Sequence, residues 1–274
     1  MKNKTTNVSA LTECAIMVAL STILSLITLG SFPTGGSITL ASMMPIVIVA
    51  YRRGLKWGLL SAGATSLLQM IIGLSAFSYV TTWQSVLAVA FLDYVFAFIV
   101  YGLSGIFKKA FKDQTLSLVF GAFFSAVLRY ICHVISGATV WAGLSIPDNA
   151  ALLYSLSYNA TYMIPDTLIL CIITAYVSSI IDFKRDMPIV IKRNKSKTNL
   201  TIGISGGLLL LFAVVFDIVA VFTKLQSESG EFDASLFTTV NWELIAWVNV
   251  PTVLTAVILF LVVYFKDKKE KSPA

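Results

Sequence analysis

The sequence predicts an all-α membrane protein with eight spans: a six-helix bundle followed by two additional C-terminal transmembrane helices. Of its 274 residues, 57% are hydrophobic and only 12% are charged, and the mean hydropathy is +0.84. A soluble globular domain carries about 25% charged residues, so this composition excludes a soluble fold. Segments of about ten residues with alternating hydrophobicity are absent, which argues against a membrane β-barrel.

The elements follow from the apolar runs, because about 20 helical residues are needed to cross some 30 Å of hydrocarbon. The second run is short and follows the turn-like residues 33–37, so we expect its outer half to be irregular or tilted. The predicted spans are residues 11–29, 37–51, 54–73, 85–107, 115–140, 151–181, 200–222 and 244–265.

The basic residues predict the orientation of these spans. With a cytosolic N-terminus, 18 of the 20 Lys and Arg residues fall on the cytosolic side. The exceptions are Arg129, inside a span, and Lys224, outside. This asymmetry follows the positive-inside rule and predicts that both termini are cytosolic. The net charge of +6 is therefore explained by topology rather than by nucleic-acid binding.

A basic segment divides the chain. It separates a predicted six-helix transmembrane domain at 8–182 from a two-helix extension at 200–266, with a cytosolic linker at 183–199 between them.

One stripe of polar and aromatic residues lies within the fifth span. Arg129, His133, Gly137 and Trp141 follow one another at steps of four, which places them along one side of a helix. Ionisable groups at membrane depth are costly and usually face a bundle interior or a wet cavity. The stripe indicates either a polar pocket or a structural arrangement in which Arg129 and His133 only satisfy neighbouring groups.

Two further spans carry polar groups far from their ends. A buried Asp93 would need a cation, and the alternatives are Arg129 or a cationic ligand. Asn159, near Tyr154, needs up to four hydrogen-bond partners once buried. Together with indole rings, these groups are suited to a small, flat, polar ligand, cationic rings included.

The motifs of common enzymes are missing. The single histidine excludes a two-histidine metal site, and no phosphate-binding loop is present that would allow the chain to use ATP unaided. In the first span, Ala15 and Ala19 lie one turn apart, a spacing that permits close helix approach but is also common in membranes.

Five motifs, in order, resemble the thiamine-specific substrate-binding (S) component of energy-coupling factor (ECF) transporters. They span about residues 8–182, and each is weak alone. They are Leu11-Thr-Glu-Cys-Ala-Ile-Met-Val-Ala19, Pro45 followed by Arg52-Arg53-Gly54-Leu55, Phe91-Leu-Asp-Tyr94, Arg129-Tyr-x-x-His133-x-x-x-Gly137-x-x-x-Trp141, and Tyr154-Ser-Leu-x-x-Asn159.

The resemblance implies that the six-helix domain is a substrate-binding subunit in a bacterial plasma membrane. It would capture thiamine near the outer face and work with a transmembrane coupling subunit and two ATPase subunits. It implies no cofactor in this chain, since ATP is used by the partners, and contact with the coupling subunit through Ala15 and Ala19. The implied ligand-binding residues are Asp93, Tyr94, His133, Gly137, Trp141, Tyr154 and Asn159, with Trp83 in place of a family tyrosine.

Two positions depart from the family. Asp93 stands where the family has Glu, and Gly36, or a neighbour, stands where it has a stacking Trp. A related pyrimidine or thiazole precursor is therefore an alternative ligand. The sequence predicts the binding subunit of an ATP-driven vitamin importer, and not an enzyme. Arg129 is expected to give structural support, holding Asp93 charged in the empty site. The alternative is a stand-alone proton-coupled transporter that uses Asp93 or His133 as relay.

Overall fold

The computed structural model describes residues 2–31, 36–141, 151–190, 197–222, 224, 236 and 239–271. These residues belong to two compact units, Met1–Ile191 and Lys192–Ala274. The division falls within the segment 183–199, of which residues 191–196 lie outside the described part of the chain.

The first unit contains most of the elements. Its helices are α1 (Lys2–Leu26), α2 (Met44–Arg53), α3 (Leu55–Ile72), α4 (Trp83–Val89), α5 (Ala97–Ile99), α6 (Gln114–Thr139) and α7 (Ala151–Ile180). Its strands form two antiparallel hairpins, β1 (Thr28–Ser31) with β2 (Ser37–Thr39) and β3 (Ile181–Asp182) with β4 (Ile189–Val190). The second unit contains α8 (Lys197–Phe222) and α9 (Trp242–Lys271).

Within the described residues, seven helices are long and apolar enough to cross a membrane. They correspond to every predicted span except 37–51, and the prediction of an all-α membrane protein is confirmed. In place of that span the chain forms β2 and then α2, whose 10 residues extend only about 15 Å. The irregular outer half expected for this run is therefore present. The count of eight crossings and the cytosolic placement of both termini stay predictions.

The hydrophobicity of α2 is explained by its central position. Residues 45–51 are all buried, and α2 packs against α1, α3, α6 and α7. Pro45 lies in its first turn, where the missing N–H costs nothing. Gly54 ends it with φ +83°, a conformation that favours glycine. The apolar run thus fills the interior of the unit instead of facing lipid.

The span Trp83–Lys108 is continuous but not uniformly α-helical. Thr82 caps α4 by accepting a hydrogen bond from the Ser85 amide at 3.2 Å. A π-helical turn then covers Ala90–Phe96, followed by α5 and a 3₁₀ segment, Val100–Lys108. Wide π turns inside helices occur frequently at functional sites, and this one contains Asp93 and Tyr94.

In the second unit, α8 and α9 pack closely against each other. Ala213 and Ala256 are buried, and the amide of Asn249 donates to Asp217 Oδ1 at 2.6 Å. These small and polar groups allow two long apolar helices to form a hairpin of their own.

Candidate functional site

The first unit contains a cavity of about 520 Å³, within the range of small-molecule sites. Ser25 and Leu26 of α1, Ile72 of α3 and Tyr154 of α7 line it, so it lies at the end of the unit where α1 and α3 finish and α7 begins. The β1–β2 hairpin adds Thr28, Ser37 and Thr39 to its wall.

Asp93 is the acceptor at the centre of this cavity. Its Oδ1 lies 2.9 Å from Nδ1 of His133, and its Oδ2 accepts hydrogen bonds from Ser136 Oγ at 2.6 Å and Trp141 Nε1 at 3.1 Å. Three polar side chains therefore converge on one carboxylate.

The hydrogen bonds of His133 define its tautomer. Nε2 accepts from Nε of Arg129 at 3.3 Å, so it carries no proton. The proton of the neutral ring is then on Nδ1 and is donated to Asp93. The imidazole therefore bridges Arg129 and Asp93.

Arg129 is paired with a different carboxylate from the one expected. Its Nη1 lies 3.7 Å from Asp166 Oδ2, and its guanidinium lies over the Phe98 ring at 4.5 Å. Arg129 is therefore not the cation that pairs with Asp93, which was one of the two alternatives for that carboxylate, and it contacts Asp93 only through His133. Position 129 is one turn of α6 before His133, so its side chain reaches α7 while the imidazole stands between it and Asp93.

The charges around the cavity do not cancel. Arg129 pairs with Asp166, whereas the partners of Asp93 are the side chains of His133, Ser136 and Trp141. Among the described residues that line the cavity, Arg129 is the single lysine or arginine. Within this described lining, Asp93 is therefore a carboxylate without a lysine or arginine partner, and it faces the cavity.

A second stripe on α7 faces the first. Tyr154, Tyr158 and Tyr162 follow at steps of four and all line the cavity, and Asp166 continues the same spacing. The rings of Tyr154 and Tyr158 stack at 5.8 Å. Aromatic faces of this kind bind flat or cationic rings.

Asn159 is fully engaged beside these tyrosines. Its Nδ2 donates to the Ser155 carbonyl at 2.8 Å and lies 3.1 Å from Ser155 Oγ, while Oδ1 accepts from the Tyr162 hydroxyl. The amide therefore fixes the position of the Tyr162 ring at the cavity wall.

Tyr94 is held by the end of α3. Its hydroxyl donates to the Gly73 carbonyl at 2.8 Å, and its ring stacks with that of Phe77 at 5.6 Å. A Cβ at position 73 would lie 2.2 Å from the Tyr94 hydroxyl oxygen, so the close approach requires glycine.

Seven of the eight predicted ligand-binding residues line this one cavity. They are Asp93, Tyr94, His133, Gly137, Trp141, Tyr154 and Asn159. Trp83 does not line it. As the first residue of α4, its side chain is 69% exposed, and the aromatic side chain beside Trp141 is instead Tyr79, with ring centroids 6.3 Å apart. Gly36 does line the cavity, and a Cβ there would meet the Tyr162 ring at 2.5 Å.

Sequence reasoning missed three members of the site: Tyr162, Asp166 and Ser136. The signal for the first two was present, because the four-residue spacing that begins at Tyr154 continues through them. Ser136 offers no such signal, since serine is common in membrane helices and its contact with Asp93 depends on how two spans pack.

The predicted coupling pair, Ala15 and Ala19, lies on the outside of α1. Both residues are exposed, and neighbouring Ile16 is 61% exposed. This side of α1 is a small-residue surface accessible to lipid or to another helix.

Comparisons with known proteins agree with this architecture. The thiamine transporter protein (Thia_YuaJ) family matches residues 11–184. The Thiamine transporter ThiT of Bacillus subtilis (strain 168) is 35% identical over 182 residues, covering 62% of this chain and 91% of that protein. A solved structure of ThiT from Listeria monocytogenes aligns with a TM-score of 0.52 at 24% identity, covering 64% of this chain and 95% of that one.

The family match lies within the first unit and ends before α8. Family members are named as transporters, which confirms the prediction that the chain is not an enzyme. The order of the apolar helices, the cavity residues and the match over 11–184 together lead to one conclusion: this multi-pass membrane protein belongs to the thiamine transporter protein family.

Proposed function

We propose that this chain is the membrane-embedded, substrate-binding subunit of an ATP-driven ECF-type vitamin importer, and that it binds thiamine from the extracellular side. The observation that carries the proposal is the uncompensated Asp93 carboxylate, which accepts three hydrogen bonds but has no cation beside it in the described part of the cavity. Thiamine contains a permanently charged thiazolium ring. It therefore supplies the missing positive charge.

The walls of the cavity favour the same ligand. The stacked rings of Tyr154 and Tyr158 and the indole of Trp141 offer π faces to an aromatic cation, at about 0.5–2 kcal/mol per contact. Tyr94, His133, Asn159 and Gly137 complete the proposed binding set around them. Under the predicted topology, the cavity lies at the extracellular end of the bundle.

Energy coupling requires other subunits in this proposal. The sequence contains no phosphate-binding loop, so ATP must be hydrolysed by partner ATPases. The exposed Ala15 and Ala19 provide a surface on which a helix of the coupling subunit can pack closely.

Binding is tested by titrating purified protein with thiamine while recording tryptophan fluorescence, since Trp141 lies in the cavity wall. We expect saturable binding, weakened by about 1–3 kcal/mol in Asp93→Ala because three donors then lose their acceptor. The control is Asp217→Asn in the second unit, which should leave binding unchanged. Wild-type affinity in Asp93→Ala would contradict the proposed role.

Coupling is tested in proteoliposomes. We expect thiamine uptake only when the coupling subunit and two ATPases are present with ATP, and we expect Ala15→Leu/Ala19→Leu to abolish uptake but retain binding. Ala246→Leu, at an exposed position of α9, is the matched control. Uptake by this chain alone, driven by a pH gradient, would instead establish the proton-coupled transporter.

A further inference from the structure

We infer that Arg129 is a positioning residue of the binding site, paired with Asp166, that keeps His133 in its neutral Nδ1–H form so that Asp93 alone sets the charge of the cavity. This inference rests on the proposed function, because it explains how the site remains selective for a cation. It assigns roles to two residues that need not touch the ligand.

The first step is the contact between Arg129 and His133. Nε of Arg129 lies 3.3 Å from Nε2 of His133, and arginine has no acceptor and does not lose its proton in proteins. Nε2 must therefore be the acceptor. A proton on Nε2 would place two N–H groups against each other.

The second step is the contact between His133 and Asp93. With Nε2 unprotonated, the ring proton is on Nδ1, 2.9 Å from Asp93 Oδ1. The imidazole therefore gives Asp93 a hydrogen bond without giving it a positive charge. An imidazolium at the same place would form an ion pair with Asp93 and remove the charge available to a cationic ligand.

The third step is the neutralisation of Arg129 itself. A lone guanidinium so near the cavity would repel a cation, but Asp166 Oδ2 lies 3.7 Å from its Nη1. Both side chains are largely buried, with 12% and 7% of their surfaces exposed, so solvent screens this pair weakly. Tyr162, with ring centroids 6.3 Å apart, and Asp93 also lie beside His133.

The same pair holds one wall of the cavity. Asp166 Oδ1 accepts both the amide and the hydroxyl of Thr39, each at 2.8 Å, and Thr39 is the last residue of β2. The chain of contacts therefore runs from Asp93 through His133, Arg129 and Asp166 to the β1–β2 hairpin. Neutralising Asp166 as asparagine retains an oxygen for Thr39 and removes only the charge.

The tautomer can be read directly, because His133 is the only histidine of the chain. The protein is purified without a histidine tag, labelled with ring-¹⁵N histidine and measured by NMR without ligand. We expect the wild-type spectrum to show a protonated Nδ1 and an unprotonated Nε2. The double variant Arg129→Met/Asp166→Asn leaves no unpaired buried charge. In it we expect the population of forms protonated on Nε2 to rise about tenfold, because one charge-assisted hydrogen bond to Nε2 is lost. Arg53→Met, which removes a distant guanidinium, should leave the spectrum unchanged.

A binding experiment tests the charge argument separately. In Asp166→Asn the Arg129 charge is no longer neutralised. We expect its affinity for thiamine to fall about tenfold, and its affinity for the uncharged pyrimidine half of thiamine to fall less than threefold.

The outcomes distinguish failure of this inference from failure of the proposed function. A protonated Nε2 in the wild type, an unchanged spectrum in the double variant, or equal losses for both ligands would overturn this inference. Absence of thiamine binding by the wild type would overturn the proposed function, while the tautomer of the ligand-free protein would still test the role of Arg129.

Discussion

Two partly buried carboxylates of the first unit, Glu13 and Asp93, have opposite surroundings. Glu13 forms ion pairs with both Arg52 and Arg53. The five N–H groups of Arg52 are all used, on Glu13 and on the carbonyls of Phe183, Arg185 and Asp186. Asp93 instead accepts hydrogen bonds from three neutral donors and faces a cavity.

The difference separates a structural acid from a binding acid. At Glu13, cations outnumber the carboxylate and every donor of the buried Arg52 is satisfied, so the cluster ties α1 and α2 to the β3–β4 hairpin and leaves nothing for a ligand. At Asp93, donors hold the carboxylate in place but its charge is left uncompensated. Burial alone does not distinguish the two sites, whereas the charge balance does.

The largest expected effect is at the structural site. Arg52→Met removes five hydrogen bonds from a side chain that is 4% exposed and should lower the free energy of unfolding by about 3–5 kcal/mol. Thermal unfolding in detergent measures this loss. The control is Arg185→Met, which removes an ion pair whose arginine side chain is 64% exposed. It should lower the free energy of unfolding by less than about 1 kcal/mol. An unchanged melting temperature in Arg52→Met would contradict the structural role.

An intermediate effect is expected at Gly73, beside the binding acid. Gly73→Ala places a methyl group 2.2 Å from the Tyr94 hydroxyl oxygen, so Tyr94 must move and its neighbour Asp93 is displaced. We expect thiamine affinity to fall by about 1–3 kcal/mol, the usual cost of overpacking. Gly203→Ala in α8 is the control, since nothing lies within 4 Å of the added atom. Equal affinities in the two variants would show that the Gly73 contact does not shape the site.

The smallest effect is expected at Trp83. Because this side chain is 69% exposed and does not line the cavity, Trp83→Leu should change thiamine affinity by less than about 0.5 kcal/mol. A large loss in the same titration would restore the role that the family resemblance gave to Trp83.

The sequence predicted the polar stripe of α6 because one helix carries all of it, and periodicity within a helix can be read directly. The facing stripe of α7 has the same spacing but was missed beyond Asn159, because tyrosines near a membrane surface resemble ordinary belt residues. The pairing of Arg129 with Asp166 rather than Asp93 could not be predicted. It depends on which neighbouring helix the guanidinium reaches, and this is set by tertiary packing.

The fold shows the same limit at α2. Its apolar run suggested a span, but a central helix and a lipid-facing helix have similar compositions. Only its length of 10 residues and the burial of residues 45–51 distinguish them. Similarly, nothing local in the sequence indicates that Arg52 would bind three carbonyls more than 130 positions away.

The central claim is that the uncompensated charge of Asp93 selects a cation. Calorimetric titration of the wild type and Asp93→Asn, each with thiamine and with its uncharged pyrimidine half, tests this claim most directly. We predict that the wild type prefers thiamine and that Asp93→Asn lowers this preference at least tenfold. The claim would be contradicted if the substitution lowered the affinity for both ligands equally and left the preference for thiamine unchanged.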